Sequence, residues 1–302
     1  MAEQASQIPS AEPEPPVRLR RLLPPADPAT VAEIVEALGL WQRPLPASPL
    51  PRVLLNMIST VDGRATVGGR SGPISDRADR ALFHGLRTAA DAILVGAGTV
   101  RTERYGRVIG DERRRRLRAE RGLSDEPLAC IVTGRLALDT DIPLLAEPQS
   151  RVVIVTASQA SLPAAAAQVE YVRAEREGHL DLAAALRELR SRFGVQLLLC
   201  EGGPHLSLAL VAAGLLDELF ISLSPRLAGG EAASGEALRI LAGPELERPL
   251  ELSLLGALEC ESQLFLRYAL SDPARAGESA TGSVAGGDCD ERSSGLPAGA
   301  AG

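Results

Sequence analysis

Three stretches of the 302-residue chain combine side chains and spacing suited to binding or catalysis. The first is Glu201-Gly202-Gly203-Pro204, which follows the apolar run VQLLLC (195–200) and opens a helical pattern. Glycines let a backbone approach a ligand closely, proline suits the first helical position, and the unpaired N–H groups of a helix start favour an anion. The second, Gly96-Ala97-Gly98-Thr99, repeats this logic after DAILVG (91–96) and adds a hydroxyl donor. It departs from the dinucleotide-binding fingerprint, because Arg101 stands where the third glycine belongs. Each loop alone is equally a plain strand-to-helix turn; together they point to a pyrophosphate cleft. The third stretch gathers Asn56, Ser59, Thr60 and Asp62 at the end of RVLLNMIS (52–59), ahead of Gly68, Gly69 and Gly72. Asp62-Gly63 by itself reads as a turn. Four hydrogen-bonding side chains ending a buried strand need partners, and a polar heterocycle in a cleft would supply them.

The elements that must position these loops are short, nearly continuous apolar runs at 52–59, 91–96, 128–133, 151–156, 169–173, 195–200 and 219–224. Such runs suit strands buried on both faces. Helical patterns lie between several of them, at 75–87, 180–193 and 204–213. Strand–helix alternation predicts an α/β fold with a mostly parallel central sheet covered on both sides. ELSLLGALE and QLFLRYAL, joined by a turn, predict a closing antiparallel hairpin. Asp27-Pro28 predicts the start of a short helix with Val31, Ile34, Val35 and Leu38 on one face, ending at Gly39. Ligands bind beyond the carboxyl ends of parallel strands. The loops at 56–63, 96–99, 133–135 and 201–204 are therefore expected to meet at one cleft.

Composition bounds the rest. A net charge of -7 and a pI near 5.2 argue against a general nucleic-acid or membrane-surface binder. All 32 basic residues are arginine, which excludes the lysine-bearing phosphate loop. Cys130, Cys200, Cys260 and Cys289 form no CxxC pair, no His pair has metal-ligand spacing, and no G-x-S-x-G elbow occurs. Neither a disulfide framework, a metal site nor hydrolase chemistry is expected. The N-terminus lacks the order of a secretory signal and no apolar stretch approaches the ~18 residues of a membrane span; a cytoplasmic location follows as the expectation. Residues 1–16 and 271–302 have the composition of disordered segments. Between them, 17–270 reads as one domain, with 17–50 an N-terminal extension carrying the short helix.

The motifs NMISTVDGRAT, DAILVGAGTV, ACIVT and CEGGPHLSLALVAAGLLDELFISLSPRLAGG, in that order, resemble the reductase domain of bacterial riboflavin biosynthesis, the C-terminal half of the bifunctional deaminase–reductase. The likeness covers roughly residues 50–270 and is closer still to stand-alone actinobacterial members. It implies a three-layer fold like that of dihydrofolate reductase, a homodimer, and NADPH-dependent reduction of a ribosylamino-pyrimidinedione to its ribitylamino form. It also implies cofactor contacts at Ile58, Pro73, Thr99, Glu103, Thr133 and Gly203 through Ala209, with Gly96, Gly98, Gly202 and Pro204 in the phosphate-facing turns. Substrate contacts fall on Ser71, Arg87 and Glu201, with Asn56 and Asp62 lining the reaction site; Ser59, in the same strand-end cluster, is a further candidate for substrate binding. Asp62 and Glu201 are the candidates for catalysis. Thr133 and Arg135 suit the 2′-phosphate, since no acidic residue stands there to claim a ribose hydroxyl. After GTV the family continues with a DDP segment and LTVR, which helps hold the substrate phosphate; this chain reads RTERYGRVIG, where Arg104 or Arg107 would have to replace that grip. The deaminase zinc motif is absent, so only the reductase step is expected.

The leading expectation is a 5-amino-6-(5-phosphoribosylamino)uracil reductase. Reduction of a related heterocycle such as dihydrofolate is an alternative, and a non-catalytic nucleotide-binding protein is a third. Asp62, Arg87 and Glu201 together disfavour the third, since a mere binder does not need all three.

Overall fold

The computed structural model describes residues 15–43, 48–230 and 238–270. The tail at 271–302 and nearly all of 1–16 lie outside the described residues. From the N-terminal side, β1 (Arg18–Leu23) and β2 (Pro25–Thr30) form a hairpin, and α1 (Val31–Ala37) follows. Then come β3 (Arg52–Thr60), α2 (Arg77–Ala89), β4 (Ala92–Gly96), α3 (Ala97–Thr102), α4 (Glu112–Glu120) and β5 (Leu128–Val132). A short α5 (Pro143–Ala146), β6 (Arg151–Thr156), β7 (Gln168–Arg173) and a small ribbon of β8 (Glu175–Arg176) and β9 (His179–Leu180) lead to α6 (Leu182–Phe193). The chain then runs through β10 (Leu197–Cys200), α7 (Pro204–Ala212), β11 (Glu218–Ser224), β12 (Leu252–Cys260) and β13 (Gln263–Leu270).

Eleven strands form one sheet in the order β2-β1-β12-β13-β11-β3-β10-β4-β5-β6-β7. From β11 to β7 every neighbour pair is parallel. From β11 outward through β13, β12, β1 and β2 every pair is antiparallel. The predicted mostly parallel sheet and its closing hairpin are both present. Alternation within each parallel strand feeds two cores, as the continuous apolar runs require. Leu54, Ile93 and Ile131 pack with Leu86 on the α1–α2 side, while Val53, Leu55 and Leu94 pack with Leu189 and Leu210 on the α6–α7 side.

The N-terminal helix differs from expectation. Residues 25–30 are a strand, and α1 begins at Val31. Thr30 accepts from Glu33 N (3.3 Å) and Glu33 Oε2 accepts from Thr30 N (2.7 Å), a capping box that fixes the start three residues after Asp27-Pro28. Pro25 and Pro28 are tolerated because β2 is the edge strand of the sheet. The apolar face behaves as read: Ile34 and Val35 are buried. Gly85 of α2 allows this close packing, since a Cβ there would lie 2.6 Å from Val31 Cγ1.

Candidate active site

Insertion of β10 between β3 and β4 creates the topological switch at which parallel sheets open a crevice. The loops after these strands are laced together there: Glu201 N donates to Leu94 O (2.9 Å) and Gly96 N to Gly202 O (2.8 Å). Above them lies a cleft of about 560 Å³, walled on one side by α2 and on the other by α3 and the start of α7.

One stripe of α2, residues 79, 83 and 87, faces this cleft, as spacing by four places side chains on one helix face. Arg87 and Glu201 meet in a bidentate ion pair, Nε to Oε1 and Nη2 to Oε2, both 2.7 Å. Their side chains are only 9% and 2% exposed, so the pair is desolvated. Tyr105 Oη donates to Glu201 Oε2 (2.7 Å) and Arg87 Nη1 to Val108 O (3.2 Å). The guanidinium also stacks 4.2 Å from the Phe83 ring centre. Burial opposes the Arg87 charge, but the facing Glu201 carboxylate outweighs it and holds its pKa above the usual value. Burial, reinforced by Glu201, pushes the Tyr105 phenol well up, so it stays a donor.

On the opposite wall, Glu103 Oε1 accepts from Ser71 N (2.9 Å) and Ser71 Oγ (3.0 Å), tying the loop before α2 to α3. Gly202 has φ of +83°, and a Cβ there would lie 3.1 Å from Met57 Sδ, so only glycine suits it. A Cβ at Gly203 would lie 2.8 Å from Thr99 Oγ1, and one at Gly96 3.3 Å from Gly203 N. Gly203 is the N-cap of α7 and contributes no side-chain hydrogen bond. The first N–H groups of α7 thus remain available beside a cradle that a side chain would fill, which fits an anionic group of a cofactor.

Of the expected site residues, Asn56, Ile58, Ser71, Arg87, Gly96, Gly98, Thr99, Glu103, Glu201 and Gly203 through Leu206 line this cleft. The others stand outside its wall. Ser59 is buried and donates to Thr60 O (2.9 Å). Pro73 lies in a single turn of 3₁₀ helix, Gly72–Ile74, next to Gly72 of the lining. Gly202 sits behind Gly203, against Met57. Thr133 Oγ1 accepts from Leu136 N (3.0 Å), and Arg135 is exposed in the loop after β5. Arg104 and Arg107, the candidates for a phosphate grip, turn to Asp141 (3.5 Å) and Glu126 (2.6 Å) and do not line the cleft.

Asp62 is the largest departure. Its carboxylate accepts from Thr60 Oγ1, Ala228 N (3.1 Å) and Gly229 N (2.7 Å), pinning the loop after β11 to the loop after β3. The Thr60 hydroxyl first, and then the Gly229 amide, hold its pKa down at about 2. A group so committed does not shuttle a proton near neutrality. Its folded pKa is depressed, so its contribution is complete above the ordinary 3.8 and is lost as pH falls through about 2. Asp62→Asn is expected to loosen the 228–229 loop, read as faster amide exchange there, while kcat falls far less than for a lost proton donor. A fall of ~10²-fold in kcat would return Asp62 to catalysis.

Sequence reading missed Tyr105, Asp79 and Phe83. Tyr105 lies in the segment that departs from the family pattern, and spacing of 79, 83 and 87 along a capped helix was the signal for the other two.

Residues 51–264 match the family described as RibD C-terminal domain, and the chain belongs to that family. It is therefore a reductase. Similar proteins include the 2,5-diamino-6-ribosylamino-4(3H)-pyrimidinone 5′-phosphate reductase of Methanothermobacter thermautotrophicus, 29% identical over 187 residues, which span 61% of this chain and 82% of that one. The riboflavin biosynthesis protein RibD of Mycobacterium tuberculosis is 31% identical over 182 residues, 60% of this chain and 44% of that one. Among solved structures, a pyrimidine reductase-like protein from Corynebacterium diphtheriae shares the fold, with a TM-score of 0.64 at 22% identity over 81% of this chain and 100% of that one. Among the described residues, no helix is long and apolar enough to cross a membrane and no cluster of metal-ligating side chains occurs.

Proposed function

We propose that this protein is an NADPH-dependent reductase of a 5′-phosphorylated ribosylamino-pyrimidine in riboflavin biosynthesis, converting the opened ribose to a ribityl chain. The observation that carries this reading is the cleft at the carboxyl ends of β3, β4 and β10, where the Arg87–Glu201–Tyr105 cluster faces the two glycine loops. Bound NADPH would supply the hydride. This chain's residues hold and orient: the α7 start and Thr99 receive the pyrophosphate, while Asn56 offers a side-chain amide with no hydrogen-bond partner among the described residues to the substrate. Support for the substrate class comes from the names of the similar reductases.

The test is NADPH oxidation by the purified chain against three substrates: the uracil form, the 2,5-diaminopyrimidinone form and dihydrofolate. Turnover of either pyrimidine, with none of dihydrofolate, is expected; the reverse would overturn the assignment. Arg135, exposed just beyond β5, is assigned to the 2′-phosphate through charge-assisted hydrogen bonds, with the Thr133 hydroxyl beside it. Arg135→Ala is then expected to lower the NADPH over NADH preference in kcat/KM by about tenfold, ~1.4 kcal/mol. An unaltered ratio places that contact elsewhere.

We also assign a homodimer built on the apolar end of the antiparallel wing. Leu252, Leu254 and Leu255 are 40%, 43% and 40% exposed, and β1 pairs with β12 only from Ala257 onward. Sedimentation of the wild type as a monomer would overturn it. A cytoplasmic location fits the buried free thiols of Cys130 and Cys200; fractionation of cells would check it.

A further inference from the structure

Three carboxyl groups line the cleft: Asp79, Glu103 and Glu201. Glu201 is held by Arg87 and Tyr105, and the half-buried Glu103 accepts both Ser71 hydrogens on one oxygen. Asp79 is different. It lies at the third position of α2, only 8% exposed, and among the described residues no cation lies within ion-pair distance of its carboxyl. Ser75 Oγ donates to its Oδ2 at 2.5 Å, and the Ser222 hydroxyl of β11 favours its charged form from the sheet side. Of the other polar hydrogens on the wall, Tyr105 Oη is held by Glu201 and His205 is exposed, while the Asn56 amide and Thr99 hydroxyl are far weaker acids than a carboxyl.

We propose that Asp79 is the proton donor of the cleft, the group that supplies the proton accompanying hydride addition to the opened ribosylamino substrate. This rests on the reductase reading above. When the sugar ring opens, its first carbon and the exocyclic nitrogen share a C=N bond. Hydride forms the new C–H bond, the C=N π pair moves to nitrogen, and the Asp79 O–H bond breaks as nitrogen takes its proton. The dihydronicotinamide is oxidised and the imine reduced. Asp79 is left as a carboxylate, to be recharged from solvent through the cleft.

The electrostatics agree with this geometry. Burial, the largest cause, raises the Asp79 pKa, and Asp76 at the helix cap adds to it; Ser222, Ser75 and Arg80 pull the other way without reversing the shift. Of the other charged groups around the cleft, Arg87 in the last turn of α2 is neutralised by Glu201, and Arg226 after β11 is spent on Ile74 O and Ser224 Oγ. A carboxyl whose pKa burial raises keeps its proton to higher pH than an ordinary aspartate, as a proton donor must.

The experiment combines a titration that needs no turnover with a kinetic one. Carboxyl ¹³C shifts, assigned through Asp79→Asn, are expected to give Asp79 a pKa above the ordinary aspartate range. In steady-state assays Asp79→Asn is expected to lower kcat by ~10²-fold or more, to keep NADPH affinity, and to lose the limb on which wild-type kcat falls as pH rises through that pKa. Ser222→Ala, which removes a hydroxyl that favours the charged form, should move the limb to higher pH. An ordinary or lower pKa for Asp79 overturns the proposal, as does an unmoved limb in Ser222→Ala or wild-type kcat in Asp79→Asn. If the titration succeeds but the wild type reduces no pyrimidine, the substrate reading falls and the acid in the cleft stands.

Discussion

Arg87→Ala is expected to be the most damaging single change in the cleft wall, lowering stability by about 3–5 kcal/mol and removing turnover. The mutation would leave the Glu201 carboxylate 2% exposed with only Tyr105 as a partner, an uncompensated charge in a dry site. For a domain of this size that is a fall in melting temperature of order 10 °C, readable by thermal unfolding. Pairing it with Glu201→Leu should recover much of the stability, because no buried charge remains, but none of the activity. If Arg87→Ala melts like the wild type, water or rearrangement already screens the pair. If the double variant regains turnover, the cluster only shapes the wall. Tyr105→Phe removes one hydrogen bond to the same carboxylate and should lie well below Arg87→Ala, at about 1.5–3 kcal/mol.

Gly203→Val is expected to weaken NADPH binding by tenfold or more, ~1.4 kcal/mol or above, in a protein that still folds. The backbone at Gly203 has φ of -67°, open to any residue, so the substitution brings no backbone strain. What it brings is volume: even the first added carbon would lie 2.8 Å from Thr99 Oγ1, in the space between the two glycine loops. Gly203→Ala should fall between, since Thr99 can rotate aside for one carbon but not for three. Cofactor fluorescence titration with circular dichroism as the folding control decides this, and unchanged affinity in folded Gly203→Val would remove the pyrophosphate from this loop.

The parallel half of the sheet was legible because burial on both faces leaves an unmistakable apolar run, and each predicted run from 52 to 224 coincides with a strand to within a few residues. The hairpin β12–β13 was legible for its spacing. The helix α4 was not, because ERRRRLRAE carries no apolar stripe. Arg118 holds it instead: fully buried, it donates to Ser124 O (2.7 Å), Thr88 O (2.9 Å) and Ala90 O (2.5 Å), so the anchor is a guanidinium where pattern reading looks for leucine. In the cleft, residue type and position after a strand found the glycine loops and Glu201. The fates of the carboxylates were hidden, because they depend on partners distant in sequence. Asp62 is claimed by amides at 228 and 229, Glu201 by Arg87, and Asp79 is left without a cation.

The antiparallel wing joins the two ends of the described chain, Arg20 of β1 bonding Glu259 of β12 across 239 residues. At a ribosomal rate of about 5–20 residues per second, β1 waits roughly ten to fifty seconds for its partner to be made. Meanwhile β11 pairs with β3 on one side, and its other edge stays bare until 263–270 emerges. Every cleft-lining residue is synthesised before then, the last being Leu238. The nascent chain therefore holds a nearly finished catalytic half beside an open, sticky strand edge, and the final hairpin acts as a seal against neighbours on the same polysome rather than as part of the chemistry.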